Sequence, residues 1–279
     1  MEPLAAQRFA ARQPEHMRHM GAKVRRAFLV RSDTRPRTPL QELMSARGRA
    51  GGGRGGQSRV KLLLTLWWVC TRRGSDGAYS SSHTAGWWAE MIGINDPKQG
   101  PRVIGANFKE LAARGHIELI PGSPGRPATV RLLDGSGAGT SYIPPEGAGG
   151  DSYFRIPEQL WTTGAIRKLS GPGIVMYLIL LELYRASDPE KPAWFTDDRF
   201  RERYGLSRDT RLAGINNLYT SGLVYVTTTA IDPVGEQDTG RRRHQRRLIT
   251  LIPEYRPPAQ QQRPLPEPLD ISAQTARPR

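Results

Sequence analysis

The chain of 279 residues is strongly basic, with 41 Lys and Arg against 26 Asp and Glu and a formal net charge of +15. This charge predicts a polyanion partner such as nucleic acid, and most of the basic residues are arginines, whose planar guanidinium suits phosphates and guanine edges. The single Cys70 excludes an internal disulfide framework and no apolar run approaches the ~18 residues of a membrane span, so we expect a cytoplasmic, nucleoid-associated protein without a membrane partner.

Residues 1–57 are predicted to form a basic flexible arm. They hold eleven Arg and Lys23 against four acidic residues, which is more than half of the excess charge. One amphipathic helix is predicted over 39–46, whereas the Gly- and Arg-rich tract 47–56 disfavours regular structure. The tract is either a plain linker or an Arg-Gly segment that follows a phosphate backbone.

Residues 58–134 are predicted to form a first winged helix-turn-helix domain. Thr84 is placed to cap the second of three helices, and a hairpin follows the third. Trp67, Trp68, Trp87 and Trp88 are most simply explained as the core of this domain. The predicted helices cover 58–73, 85–91 and 101–114, and the predicted strands cover 116–120 and 129–133.

Two segments rich in turn formers delimit a second domain at 151–255. Residues 135–150 are rich in Gly and Pro and are predicted to be a linker. Residues 256–279 are rich in Pro and Gln with few large apolar side chains, which predicts a disordered tail. The low apolar fraction of 37% is then a property of arm, linker and tail rather than of poor cores.

The second domain repeats the order of the first, so the fold class expected is α+β, mostly helical, with two tandem winged helices. Ser207 is placed to cap a third helix whose apolar stripe comprises Leu212, Ile215, Leu218 and Tyr219. A β-branched, alternating segment and a return strand then predict a hairpin. The predicted helices cover 160–169, 174–184, 196–204 and 208–221, and the predicted strands cover 223–231 and 247–252.

Motifs in the second block resemble known DNA-binding families. The segment from Gly205 through Val224 is similar to a pattern shared by winged-helix proteins, although Arg211 occupies a position where an apolar residue is usual. A longer stretch, beginning at Tyr153-Phe154-Arg155-Ile156-Pro157, resembles the DNA-binding domain of RepA-type plasmid replication initiators. This resemblance covers about 75 residues and implies an origin-binding role on a plasmid or other mobile element.

Each predicted third helix offers polar side chains that could read bases. Bidentate Arg, Asn and Gln side chains read base edges in the major groove, and residues near the helix N-terminus normally reach them. The candidates in the second domain are Arg208 and Arg211, followed by Asn216 and Asn217. The candidates in the first domain are Arg102, Asn107 and Lys109.

The predicted hairpin tips offer a second set of DNA contacts. Residues 241–247 hold five arginines, from which Arg241, Arg242, Arg243 and Arg246 are the candidates for contact with phosphates or the minor groove. The first hairpin contains Gly125-Arg126-Pro127, which resembles the core of an AT-hook, and a plain tight turn explains it equally well.

We therefore expect a non-enzymatic, sequence-specific protein that binds double-stranded DNA, with a homodimer or multimer on DNA and the replication machinery as further partners. The alternatives are a winged-helix transcriptional regulator and a nonspecific nucleic-acid-binding structural or adaptor protein. No cofactor or metal is expected, because His16 and His19 lack further ligands nearby and no P-loop follows the glycines. Asp197 and Asp198 are interpreted as first-turn acids that suit a helix N-terminus.

Overall fold

The computed structural model has an α+β fold in which helices pack with small antiparallel sheets. It describes residues 4–46, 49–52, 54–74, 76–147, 151–231 and 244–258. The helices are α1 (Ala5–Ala11), α2 (Pro39–Met44), α3 (Arg54–Val69), α4 (Ala85–Ile92), α5 (Gln99–Ala113), α6 (Gln159–Thr162), α7 (Ala165–Lys168), α8 (Gly171–Leu183), α9 (Asp197–Tyr204) and α10 (Arg208–Thr220). The strands are β1 (Ala22–Arg25), β2 (Ser45–Ala46), β3 (Arg49–Gly52), β4 (Ser80–Ser81), β5 (Ile117–Ile120), β6 (Thr129–Leu132), β7 (Tyr153–Ile156), β8 (Val224–Ile231) and β9 (His244–Leu251).

The first block contains the three helices and the hairpin that its sequence predicts. The Thr84 hydroxyl accepts a hydrogen bond from the Trp87 amide at 3.2 Å, which begins α4 where expected. Helix α3 begins and ends four residues earlier than predicted. Strands β5 and β6 pair, and the short strand β4 joins the free edge of β6, so the strand order is β4-β6-β5.

The second block follows the same order. The Ser170 hydroxyl accepts from the Gly173 amide at 3.1 Å, and α8 begins at Gly171, three residues before the predicted start at 174. A backbone bridge between Ala193 and Ile249 takes the place of β4, because it adds a short segment to the last strand of the hairpin. The predicted helix 160–169 is wrong as one element, since Gly164 adopts a φ of +75° and divides it into α6 and α7.

The structure therefore repeats one arrangement: helix, short strand segment, helix, helix and hairpin, with the short segment paired to the last strand in both blocks. The connection between the second and third helices differs. It spans 93–98 in the first block and 205–207 in the second. The turn between the second and third helices is therefore shorter in the second block.

The predicted flexible arm over 1–57 is wrong for the residues that the structure describes. Phe9 on α1 packs edge-on against Trp68 and Trp87, with ring centroids 5.1 and 6.0 Å away. Phe28 packs against Trp67 in the same way, at 5.0 Å. Scattered apolar residues therefore pack this segment against the core, although its net charge predicts a solvated arm. Basic side chains can keep their charged groups in water while the backbone beside them packs. Even the Gly- and Arg-rich tract contains a strand, β3.

The second block packs against both the N-terminal segment and the first block. Strand β1 pairs with β7 in antiparallel register, from Ala22 opposite Ile156 to Arg25 opposite Tyr153. Trp68 stacks on Trp161, with centroids 4.7 Å apart and rings inclined by 14°. The buried residues of both blocks form one hydrophobic core, so the expectation of two separate cores is wrong.

The predicted linker is tied to the N-terminal segment in its described part, 135–147. The Lys23 ammonium donates to the Pro145 carbonyl at 2.8 Å, and Arg25 Nη2 donates to the Ile143 carbonyl at 2.6 Å. This part contains neither helix nor strand, apart from one backbone bridge between Leu133 and Ser141. Of the predicted tail, only residues 256–258 are described, and the remainder lies outside the described residues.

Candidate nucleic-acid interface

Helix α10 presents one face to α8 and the other to solvent. The Ser207 hydroxyl accepts from the Thr210 amide at 3.2 Å and begins the helix at the predicted position. A Cβ on Gly214 would lie 2.5 Å from the Pro172 carbonyl oxygen, so glycine is what permits the close approach of α8. The residues buried on the inner face are Arg211, Gly214, Ile215 and Leu218.

Arg211 lies on the inner face, so the prediction that it points outward is wrong. It is 8% exposed, its Nη2 forms an ion pair with Asp197 on α9, and its guanidinium lies 5.2 Å from the centroid of the Phe200 ring. The long side chain takes the position where an apolar residue is usual and connects the second and third helices of the block. Asp197 is accordingly a partner of Arg211 as well as a first-turn acid.

Asn217 is also used within the fold. Its Oδ1 accepts from the Ser170 amide at 2.8 Å, and its Nδ2 donates to the Lys168 carbonyl at 3.3 Å. A Cβ on Gly173 would lie 1.9 Å from Asn217 Oδ1, which shows how closely the amide group fits against α8. The Asn217 amide group is therefore already hydrogen-bonded within the fold, and the prediction that it is available to read a base is wrong.

The outer face of α10 keeps Arg208 and Asn216. The Arg208 side chain is 68% exposed, and its only recorded ion pair within the described residues is a 3.8 Å approach to Asp197. Asn216 is exposed two turns later. Tyr219 was predicted to be buried and is 60% exposed, so the buried stripe is rotated toward Arg211 and Gly214 relative to the prediction.

The hairpin of the second block is long and carries a cation on an aromatic ring. Strands β8 and β9 pair from Val224 opposite Leu251 to Ile231 opposite His244. Arg246 places its guanidinium 3.7 Å from the ring centroid of Trp194, which is 41% exposed. This cation–π contact holds the Arg246 guanidinium against the Trp194 ring. The three further candidates at the tip, Arg241, Arg242 and Arg243, lie outside the described residues.

Trp194 was not among the sequence candidates. It lies one residue after Ala193, whose bridge to Ile249 fixes it beside β9. The signal available in the sequence was an aromatic residue in a polar loop before a helix, but the partner of a loop residue depends on strand pairing that local patterns do not report.

The candidate residues of the first block likewise comprise both exposed and buried side chains. Arg102 and Lys109 are exposed on α5, and Arg126 is exposed in the turn between β5 and β6, where its amide donates to the Ser123 carbonyl at 2.8 Å. Asn107 is 6% exposed and its amide group donates to the Val103 carbonyl at 2.7 Å, so its predicted exposure is wrong. The structure brings Arg102 and Lys109 onto one helix and leaves Arg126 on the hairpin.

Helix α5 begins with a local hydrogen-bond network. The Asp96 carboxylate accepts from the amides of Gln99 and Lys98 at 2.9 and 2.8 Å. These two backbone hydrogen bonds lower the pKa of Asp96. Its negative charge thus stabilises the start of a helix whose outer face is otherwise basic.

No group of three or more His, Cys, Asp and Glu side chains in the described ranges is arranged to hold a metal ion. Across the same ranges, no helix has both the length and the apolar character that crossing a bilayer requires.

In comparisons with known proteins, no family model, curated protein or solved structure gives a significant match to the chain.

Proposed function

We propose that this chain is a sequence-specific double-stranded DNA-binding protein built from two tandem winged helix-turn-helix units. The observation that carries the proposal is helix α10, which buries one face against α8 and exposes Arg208 and Asn216 on the other, directly before a long basic hairpin. A helix held in this way can enter a major groove, since no element among the described residues covers its outer face.

The chemistry of the outer face suits base edges. Arg208 lies in the first turn of α10, where recognition helices normally contact bases, and its guanidinium can donate two parallel hydrogen bonds to guanine. Its long contact with Asp197 is exposed and therefore worth less than about 1 kcal/mol, so DNA can replace it at little cost. Asn216 offers an amide that can pair with adenine.

The hairpin supplies the second half of the contact. Arg246 and the exposed Arg247 lie on β9, and the sequence between the strands adds Arg241, Arg242 and Arg243. Cations on such a hairpin neutralise phosphates beside the groove that α10 occupies, which adds affinity without sequence information. In the first block Arg102, Lys109 and Arg126 offer the same division between helix and hairpin.

The role we propose is origin binding by a plasmid or mobile-element replication initiator, acting as a non-enzymatic protein in the cytoplasm. The support is the RepA-type motif in residues 153–224 together with the repeated arrangement of both blocks. A map of the bound sites in cells tests the role: one replication origin supports it, whereas many promoters indicate a transcriptional regulator.

DNA binding itself is tested with the full chain. Duplexes selected from a random library would be compared with scrambled duplexes by fluorescence anisotropy over a series of salt concentrations. We expect the selected duplex to bind at least about 1,000-fold more tightly than the scrambled one at physiological salt. If both bind equally and both weaken steeply with salt, the chain is a charge-driven, nonspecific binder.

The residue-level test compares Arg208→Ala and Asn216→Ala with Arg72→Ala. Arg72 is an exposed arginine after α3, outside both helix pairs. The specificity ratio is the affinity for the selected duplex divided by the affinity for the scrambled one. Loss of a base contact should lower this ratio by about tenfold or more, since one base contact is worth ~1–3 kcal/mol. The Arg72 variant keeps the ratio. Unchanged discrimination in Arg208→Ala would remove α10 from its proposed role.

A further inference from the structure

A cavity of about 640 Å³ lies between the segment 23–39, residues 134–136, 142, 145 and 152, and Arg203 of α9. This volume is within the range of small-molecule sites. The N-terminal segment forms one wall and the segment between the two blocks forms another. Neither belongs to the outer face of α10, so the cavity is separate from the proposed DNA-reading surface.

Cationic side chains dominate the lining, with seven Lys and Arg residues and Asp134 as the one carboxylate. Four of the cations have carboxylate partners. Arg25 pairs with Asp151 and Asp134 at 2.6 and 3.3 Å, Arg35 pairs with Glu42 at 2.6 Å, and Arg26 and Arg203 share Glu182 at 2.5 and 2.6 Å.

The other three cations, Lys23, Arg31 and Arg37, have no carboxylate within ion-pair distance among the described residues. The Lys23 ammonium donates to the Pro145 carbonyl, and Arg31 Nε donates to the Pro36 carbonyl, both at 2.8 Å. Burial, and then the charge of Arg155, lower the pKa of Lys23, while the charges of Glu146 and Asp151 act in the opposite direction. The lining of the cavity thus has more cations than carboxylates, and this excess of positive charge favours an anionic ligand.

Arg31 and Arg37 also line a second recess of about 450 Å³, together with Arg201 of α9 and with Glu42, which pairs with Arg35. The guanidinium groups of both residues are exposed or joined only to a carbonyl, so their remaining N–H donors can bind a ligand. Guanidinium groups grip phosphate oxygens with paired, charge-assisted hydrogen bonds. Two such groups that line the same recess suit adjoining phosphates better than a single carboxylate.

The same cavity has an aromatic part formed by Phe28, Trp67 and Tyr142. Trp67 is 5% exposed, and its indole N–H has no hydrogen-bond partner among the described residues. Buried donors of this kind are normally satisfied. A flat, polar heteroaromatic ring would pack against these side chains, whereas a simple inorganic anion would use the cations alone.

We propose that this cavity binds a free nucleotide that carries two or more phosphates, with the phosphates on Arg31 and Arg37 and the base toward Trp67 and Tyr142. The nucleotide would join three parts of the chain: the N-terminal segment, the segment between the blocks, and α9. This inference stands independently of the proposed DNA binding, because its residues are different.

The test is calorimetric titration of the full chain with ATP, GTP, AMP and inorganic tripolyphosphate. Salt at ~0.15 M limits the Debye length to ~8 Å, which suppresses diffuse attraction to a basic surface. We expect one ATP or GTP per chain, with AMP and tripolyphosphate each at least about tenfold weaker, since each lacks one half of the contact.

The variant Arg31→Ala/Arg37→Ala should weaken nucleotide binding by about tenfold or more through the lost charge-assisted hydrogen bonds. A double variant with the same loss of charge, Arg12→Ala/Arg72→Ala, removes exposed arginines outside the cavity and should stay within about twofold of the parent. Thermal unfolding of each variant without ligand checks that it is folded.

Four outcomes would overturn the proposal: no saturable binding of ATP or GTP, equal weakening in both double variants, binding of tripolyphosphate as tight as that of the nucleotides, or binding of AMP as tight as that of ATP and GTP. A DNA duplex included as a competitor separates this site from the DNA surface. The cavity belongs to the DNA interface instead if DNA displaces the nucleotide and Arg31→Ala/Arg37→Ala weakens DNA binding as much as it weakens nucleotide binding. Failure of DNA binding alone leaves the nucleotide result intact.

Discussion

Arg211 on the buried face of α10 forms an ion pair with Asp197 in the first turn of α9, and its guanidinium lies over the Phe200 ring. The pair joins the two helices across the three-residue turn 205–207. Arg211 Nη1 is buried and has no hydrogen-bond partner among the described residues. Its positive charge therefore depends on one carboxylate, which makes the pair sensitive to loss of either member.

Replacing Asp197 with Ala is expected to lower the free energy of unfolding by about 2 kcal/mol, because it leaves the buried Arg211 charge without its partner. Asp197 is 48% exposed, so water compensates in part. Urea unfolding measures the change. The double variant Asp197→Ala/Arg211→Met should recover most of the loss, since an apolar side chain suits this site.

Asp198→Ala is the matched control, because Asp198 lies in the same first turn, is exposed and has no recorded ion pair in the described ranges. Both substitutions remove a carboxylate that suits the helix N-terminus. We expect the control to change stability by less than about 0.5 kcal/mol. Equal losses in the two single variants would mean that the helix N-terminus, not Arg211, is what Asp197 stabilises.

Asn217→Ala should destabilise the fold by about 1–2 kcal/mol, because it removes an acceptor from the Ser170 amide at the start of α8. The specificity ratio for DNA, measured at a temperature where the variant is folded, should stay unchanged. Asn216→Ala is the neighbouring control and should show the reverse pattern, with unchanged stability and lower discrimination. A loss of discrimination in Asn217→Ala without loss of stability would return Asn217 to the DNA surface.

Phe9→Ala tests whether the N-terminal segment is part of the core. Truncation removes edge contacts to Trp68 and Trp87 and should cost about 2 kcal/mol, below the full cost for a completely buried ring. Tryptophan fluorescence should shift to the red as water reaches the two rings. Arg12→Ala, an exposed change just after the same helix, should leave both readouts unchanged. A flexible arm would show no effect of either substitution.

Local patterns predicted the elements that short-range chemistry determines. The hydroxyls of Thr84 and Ser207 begin helices at the expected residues, since a cap depends on the next three residues alone. The exposure of Arg208 and Arg102 was also predictable from helical spacing. From these features the sequence alone predicts the repeated order of elements and part of the candidate interface.

The remaining features depend on contacts between distant residues. Arg211 has the composition of a surface residue, and its burial follows from Asp197 and Phe200, fourteen and eleven positions earlier. The pairing of β1 with β7 brings residue 22 against residue 156, and no local period reports it. For the same reason the arginines of the N-terminal segment suggested an arm, although they line a cavity that distant segments close.

His116 gives a pH dependence with a defined sign. It is 3% exposed, and burial, then the charge of Arg114, lower its pKa to about 4. Above about pH 7.5 the side chain is neutral in both the folded and the unfolded chain. As the pH falls from there toward 4, the unfolded chain takes up a proton and the folded chain does not, so stability is lost. The loss approaches about 3 kcal/mol at the lower end.

His116→Gln should remove this component, because glutamine does not titrate. Urea unfolding between about pH 4.5 and pH 7.5 would be compared for the parent, this variant and His16→Gln, an exposed control. The carboxylates contribute equally to all three, so the difference in slope isolates His116. We expect a shallower loss on acidification for His116→Gln and the parental slope for His16→Gln. Parallel curves for all three proteins would show that His116 accepts its proton equally well in the folded chain.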